Sequence, residues 1–229
     1  MSFAASLEQP FRAAARPAQM SVAIVDTGIG NFGSIANALR RAGAVSFLAG
    51  DAAAIEAASH IVLPGVGSFD AAIRVLDQRG LRPVLTRRVI DEGIPALGIC
   101  LGMQMLGASS EEGQLAGLGW LRGRTVRFRP PPGTTALRVP HIGWNGIAAR
   151  LPSPLLDGID CGGRFYYVHS YHLADAAEED IVATTDYGYP FAAVVRHKNI
   201  VGTQFHPERS GPDGLRVIEN FLRLKPGAR

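Results

Sequence analysis

Ala96-Leu97-Gly98-Ile99-Cys100-Leu101-Gly102-Met103-Gln104 decides how the rest of this chain is read. Ala96 to Ile99 is a short apolar run of strand length, and the residues from Leu101 to Leu106 open a helix. Gly98 and Gly102 flank Cys100 at the junction. Glycine on both sides lets the backbone turn sharply and lets neighbouring chain come close. The segment has the form of a nucleophile elbow with cysteine in place of serine. Such a turn presents the thiol at the carboxyl edge of the sheet, where open α/β sheets bind ligands. The positive end of the following helix favours the thiolate. A cysteine outside such a setting is more often buried and inert. Here strand, glycines and helix together favour a nucleophile.

Upstream, residues 22–25 read as an apolar strand ending at Asp26, followed by the turn Gly28-Ile29-Gly30-Asn31. Ser34 is read as capping a helix that runs to Arg41 and is closed by Gly43. Further strands are read at 45–48 and 61–63, and helices at 51–57, 69–76 and 81–92. Strands alternating with helices predict a parallel sheet covered on both faces. Downstream, strands are read at 119–128, 165–168, 181–185, 192–196 and 200–204 with few helices between them. Residues 211–224 form a closing helix, with Leu215, Ile218, Phe221 and Leu222 at helical spacing. Pro130-Pro131-Pro132-Gly133 is a loop. The expected fold is a single α/β domain over residues 20–229, with a mostly parallel central sheet flanked by helices and an antiparallel extension. Residues 1–19 are Ala-rich, with Arg12, Arg16, Pro10 and Pro17, and read as a disordered N-terminal extension. They lack the apolar core of a secretion signal, and Glu8 and the prolines argue against a transit peptide.

The chain has 229 residues, 47% of them hydrophobic, which suits one domain with a full core. No run approaches the ~20 apolar residues that span a bilayer, so no membrane association is expected. Cys100 and Cys161 are the only cysteines and neither lies in a CxxC motif. That argues against a disulfide framework and for a reducing, cytoplasmic setting. Cys161 reads as a spectator. The net charge of +3 comes from scattered arginines, the densest group being Arg122, Arg124, Arg127 and Arg129. Their mostly alternating spacing reads as an exposed ribbon, and no nucleic-acid partner is expected.

A cysteine nucleophile needs a base, and the base needs an orienting group. Gln204-Phe205-His206-Pro207-Glu208 follows the last predicted strand and supplies both. In extended chain His206 and Glu208 project to the same side, so the carboxylate can hold one ring nitrogen while the other faces Cys100. The other histidines have no such neighbour: His60 starts a strand, His197 lies beside Lys198 in a turn, and His172 is placed on the surface. Acyl transfer also needs oxyanion donors. One is the N–H of Leu101; a second can come from the loop of Gly65, Val66 and Gly67, whose glycines permit unusual backbone. This chemistry calls for no metal and no cofactor.

The order Cys100, His206, Glu208, with its G-x-C-x-G and H-P-E motifs, resembles class I glutamine amidotransferases over about residues 20–225. Six segments resemble, more specifically, the glutaminase subunits of imidazole glycerol phosphate synthase: 26–31, 64–69, 100–104, 140–145, 167–171 and 206–210. Thr27 and Arg209 depart mildly from the family pattern, which has Tyr and Lys there. The resemblance implies that Gln104 contacts a glutamine substrate, that Glu112 binds its α-amino group, and that Ser170 and Tyr171 form its carboxylate site. It implies a heterodimer with a (βα)8-barrel cyclase that receives ammonia and makes imidazole glycerol phosphate and an aminoimidazole carboxamide ribonucleotide in histidine biosynthesis. Asn31, Trp144 and Asn145 are the expected interface residues. Three alternatives stand beside this. A glutaminase of another pathway is disfavoured by Pro140-His141-Ile142-Gly143-Trp144-Asn145. A cysteine peptidase or chaperone of similar fold often has His directly after the nucleophile, where Leu101 stands here. A non-catalytic binding subunit has no need of an intact Cys, His and Glu set.

Overall fold

Short apolar runs form the parallel strands, and helices of matching amphipathic pattern cover them. The computed structural model describes residues 20–28, 30–129, 138–160 and 162–227. The predicted extension 1–19, the Pro130–Gly133 loop and Cys161 lie outside these residues. The first half contains β1 (Ser21–Val25), α1 (Phe32–Arg41), β2 (Val45–Ala49), α2 (Ala52–Glu56), β3 (His60–Leu63), α3 (Phe69–Gln78), α4 (Leu81–Thr86), β4 (Ala96–Ile99) and α5 (Leu101–Met105). A π-helical turn, Arg87–Asp91, continues α4. The second half contains β5 (Arg124–Arg127), β6 (His141–Gly146), β7 (Ala148–Ala149), β8 (Arg164–His169), β9 (Tyr171–Ala174), β10 (Ile181–Asp186), β11 (Pro190–His197), β12 (Ile200–Thr203) and α6 (Gly211–Leu222).

Eight strands form the main sheet in the order β2-β1-β3-β4-β12-β11-β10-β7. β2, β1, β3, β4 and β12 run parallel; β11, β10 and β7 extend the sheet antiparallel. The alternation of side chains divides the interior into two cores. Ala23, Val25, Ile61, Leu63 and Ala96 meet α2, α3, α4 and α5 on one face. Val22, Ile24, Val62, Leu97 and Ile99 meet α1 and α6 on the other. This is why the inner parallel strands read as unbroken apolar runs. Among the described residues no helix is long and apolar enough to cross a membrane.

The structure corrects several expectations. α1 begins at Phe32, with Asn31 rather than Ser34 at its N-terminal boundary and no side-chain cap. The strand expected over 119–128 shrinks to β5, because Gly119 and Gly123 take φ of 67° and 127° and turn the chain. β6 and β7 were not anticipated; β6 pairs with β8 in a small sheet of its own, as β5 does with β9. The arginine ribbon is exposed as expected, with Glu111 accepting the Arg127 backbone N–H at 2.9 Å and pairing with Arg124 and Arg129 at 3.5 and 3.0 Å.

Glycines govern the centre of the sheet. A β-carbon on Gly102 would sit 1.8 Å from the Leu63 carbonyl oxygen, and one on Gly98 2.7 Å from the Met103 nitrogen. Gly33 on α1 has no neighbour within 4 Å of the equivalent position. Gly102→Ala should therefore lose about 3 kcal/mol through forced backbone displacement. Gly33→Ala should instead gain about 0.5 kcal/mol from reduced freedom of the unfolded chain. Urea denaturation of the two variants checks both signs.

Candidate active site

At the end of β4 the chain turns into α5 with Cys100 at the corner. Its φ of 53° and ψ of −109° lie far from the usual regions for a residue with a side chain. Such backbone costs about 1–3 kcal/mol and persists only where the surroundings enforce it. Here the Cys100 N–H donates to the Thr203 carbonyl at 2.8 Å, and its carbonyl accepts the Gln104 N–H at 3.1 Å. The corner therefore hangs between β12 and the first turn of α5.

Beyond β12, His206 lies 4% exposed. Its Nδ1 meets Glu208 Oε1 at 2.9 Å, and the Glu208 side chain is only 1% exposed. The extended geometry expected between them is not what joins them. Pro207–Arg209 form a 3-10 turn, which folds the carboxylate back onto the ring. Ser210 stabilises this turn, its hydroxyl donating to the His206 carbonyl at 2.6 Å. His206 Nε2 is buried with no hydrogen-bond partner among the described residues. Burial opposes charge on the ring. The charges of Cys100 and Glu208 outweigh it and raise the His206 pKa to about 10, so an imidazolium stands beside the cysteine at neutral pH.

A cleft of about 330 Å³ opens in front of Cys100. It is lined by Gly65, Val66, Gly67, Leu101, Gln104, Glu112, Ser170 and Tyr171, together with Pro140, Val168 and His169. All the residues assigned to substrate and oxyanion from sequence thus gather around one cavity, with His206 and Glu208 set deeper in the protein. A β-carbon on Gly65 would meet the Leu101 side chain at 2.8 Å, so the 65–67 loop lies directly on the start of α5. Glu112 also has a structural duty: its Oε2 accepts the Phe69 N–H at 2.8 Å, at the first residue of α3. One carboxylate serves both a helix terminus and the wall of the cleft.

The interface candidates lie elsewhere. Trp144 is 49% exposed on β6, and Ile142, on the same face of the strand, is 60% exposed. Asn145 is already engaged: its Nδ2 donates to the Asp186 carbonyl at 2.9 Å and its Oδ1 accepts the Gly146 N–H at 2.8 Å. Asn31 is half-buried at the start of α1.

The histidines hold a correction and an omission. His172, expected on the surface, is buried, with Nδ1 near the Leu173 carbonyl at 3.1 Å and Nε2 near the Tyr189 hydroxyl at 3.0 Å. It shares an aromatic cluster around Phe128 with His141 and His169. His169 Nδ1 can only donate to the Tyr171 carbonyl at 2.8 Å. Its Nε2, in the neutral ring, must then accept from His141 Nδ1 at 3.1 Å. Burial lowers the pKa of His169 to about 3 and that of His141 to about 4, which keeps both rings neutral. The omission is Gln204. Its side chain is fully buried, with Nε2 3.6 Å from Cys100 Sγ and Oε1 accepting from Gln104 Nε2 at 3.2 Å. Its place next to the His-Pro-Glu segment was the only signal in the sequence.

Comparisons with known proteins bear on the family and the fold. The profile of the family described as "Glutamine amidotransferase class-I" matches residues 23–224. Among curated relatives, the "Imidazole glycerol phosphate synthase subunit HisH 2" of Pseudomonas aeruginosa is 42% identical over 89% of this chain and 99% of its own length. The subunit HisH of Moorella thermoacetica is 44% identical over 89% of this chain and 94% of its own. In three dimensions the chain is similar to a solved glutamine amidotransferase, with a TM-score of 0.67 and 19% identity, covering 89% of this chain and 99% of that one. It is likewise similar to PurLQS from Thermotoga maritima, with a TM-score of 0.68 and 20% identity over 89% of this chain and 98% of that one; these two likenesses bear on the fold alone. The chain belongs to the class-I glutamine amidotransferase family and, within it, groups with the HisH subunits of imidazole glycerol phosphate synthase.

Proposed function

We propose that this chain hydrolyses glutamine to glutamate and ammonia through Cys100, His206 and Glu208, and passes the ammonia to a (βα)8-barrel cyclase subunit in histidine biosynthesis. The observation that carries this reading is the buried His206–Glu208 pair, with an unpartnered Nε2, beside a cysteine held on a strained corner of the cleft.

Cys100 Sγ attacks the side-chain carboxamide carbon of glutamine. The N–H of Leu101 and one from Gly65, Val66 or Gly67 receive the developing oxyanion. The His206 imidazolium gives its proton to the departing nitrogen, ammonia leaves, and a glutamyl thioester remains. Neutral His206 then takes a proton from water, which attacks the thioester. Collapse expels the thiolate, releases glutamate and restores the ion pair. Glu208 keeps the ring oriented throughout and favours its charged form whenever it holds the second proton. Gln104 and Glu112 hold the substrate's polar groups, and Ser170 and Tyr171 its carboxylate. No step calls for a metal or a cofactor.

The reading of a partner is supported by the names of the relatives, which are subunits, and by the apolar face that β6 offers. Ile142 and Trp144 project together from one side of a short exposed strand. Aromatic anchors of this kind carry a large share of binding energy at interfaces. Asn31, and Asn145 with its anchored side chain, complete the proposed docking region.

Three outcomes test this reading. Cys100→Ala should abolish glutamate release while the melting temperature and complex formation survive; glutamate release at the parent rate would refute the mechanism. Glu208→Gln removes a charge that raises the His206 pKa, so the imidazolium should be lost at lower pH. The alkaline limb of the pH–rate profile should then move down from near pH 10, with a fall in kcat smaller than that of His206→Ala. Trp144→Ala should leave the fold intact and weaken binding to the cyclase by about 2 kcal/mol, roughly 30-fold in Kd, by isothermal titration calorimetry.

A further inference from the structure

The base accounts for one side of the nucleophile. On another side stands Gln204, fully buried, with its Nε2 3.6 Å from Cys100 Sγ. Which end of an amide faces a neighbour is decided by the partners of both ends. Here the decision begins at the Tyr171 carbonyl oxygen, which can only accept. It takes the His169 Nδ1 proton at 2.8 Å and a Gln104 Nε2 proton at 2.7 Å. Gln104 must therefore turn its nitrogen inward. That nitrogen also lies 3.2 Å from Gln204 Oε1, to which it donates its second proton. Gln204 in turn must present its oxygen to Gln104, and its nitrogen is left pointing at sulfur. Each link in this chain has one permitted direction, and the chain ends in a donor aimed at the nucleophile.

We propose that Gln204 is a catalytic residue: its side-chain amide donates a hydrogen bond to the Cys100 thiolate, in an orientation locked by Gln104 and the Tyr171 carbonyl. The inference rests on the glutaminase reading and adds a group to it. No atom is transferred. The donor stabilises sulfur whenever it carries negative charge, in the resting thiolate and again when the thioester collapses and the thiolate is the leaving group. The neighbouring imidazolium loses its proton to the departing nitrogen and regains one from water, so its charge varies through the cycle. An amide donor keeps its proton at every stage. The chain of bonds also continues through His169 to His141 on β6, so the setting of this donor is tied to the strand that carries Trp144.

The test pairs Gln204→Met with Gln204→Glu. The first removes the donor at similar volume; the second keeps an oxygen for Gln104 and sets a carboxyl group against sulfur. A hydrogen bond to a charged group corresponds to about 10- to 100-fold in rate. Both variants, assayed with the cyclase, should lose about that much kcat, with KM for glutamine changed no more than about threefold. Alkylation of Cys100 by iodoacetamide, which needs no glutamine, should require a pH about one to two units higher than in the parent. An unchanged alkylation profile in a folded variant overturns the proposal. So does a loss confined to KM, which would mean that Gln204 only holds Gln104 in place. The unaltered chain gives a reading that survives misfolding of either variant: the Gln204 side-chain NH2 resonances should shift over the pH range in which Cys100 becomes reactive, and static resonances refute the contact. Turnover by Cys100→Ala would instead defeat the glutaminase reading itself, so the two failures are separable.

Discussion

The approach of α5 to the ends of β3 and β4 leaves no room for a side chain at position 102, where a β-carbon would fall 1.8 Å from the Leu63 oxygen. Everything in the cleft depends on that contact. It fixes the start of α5, and with it the N–H of Leu101. It sets the 65–67 loop onto Leu101 through Gly65. It also forces the corner that holds Cys100 at φ 53°, since strand, turn and helix must fit within a few residues. The strain at Cys100 is held by the packing of two cores, because Cys100 belongs to the core on one face of the sheet and Leu101 to that on the other.

Burial alone does not decide charge in this protein. His206 and His169 are both nearly inaccessible, yet one is driven to about 10 and the other to about 3. The difference lies in the neighbours. His206 has Glu208 and Cys100 against it, and their negative charges exceed the loss of hydration. His169 has desolvation against its charged form, and the Tyr171 carbonyl alone favours that form, while His141, His172 and His206 oppose it further. A charged ring beside Cys100 and a neutral one a short distance away divide the interior into an ionic site and a dipolar scaffold that supports it.

The sequence disclosed the parts of the site that are local. Cys100 sits between glycines on a strand-to-helix junction, and His206 and Glu208 are two residues apart; a few neighbouring letters suffice to read each. The parallel half of the sheet was legible for the same reason, as apolar runs punctuated by turns. What escaped depends on distant chain. Gln204 looks like the last residue of a strand until the carbonyl of Tyr171 and the amide of Gln104 arrive to orient it. β6 hides because Gly143 and Gly146 interrupt its pattern, and it is held by β8 rather than by a face of the main sheet. His172 misleads because its solvent-facing appearance in Tyr171-His172-Leu173 is reversed by Phe128, Tyr189 and Phe191 closing over it. The helix start at Phe32 and the dual use of Glu112 belong to the same class, being set by partners far along the chain.

The position of β12 has a consequence for how the molecule comes into being. This strand is the last of the twelve among the described residues, yet it lies between β4 and β11 near the middle of the sheet, pairing Thr203 with Ile99 and Val194. Cys100 and Gln204 are 104 positions apart. Contacts of such separation form late, after the loop-closure entropy of the intervening chain has been overcome. During synthesis the parallel strands β1 to β4 emerge first and wait with one side of β4 unpaired. A nascent chain that has reached Tyr171 already carries Cys100 and the residues that line the cleft, but not Gln204, His206 or Glu208. The surroundings of Cys100 are thus completed only in the closing moments of folding, when the final strand slots in and carries Gln204, His206 and Glu208 with it.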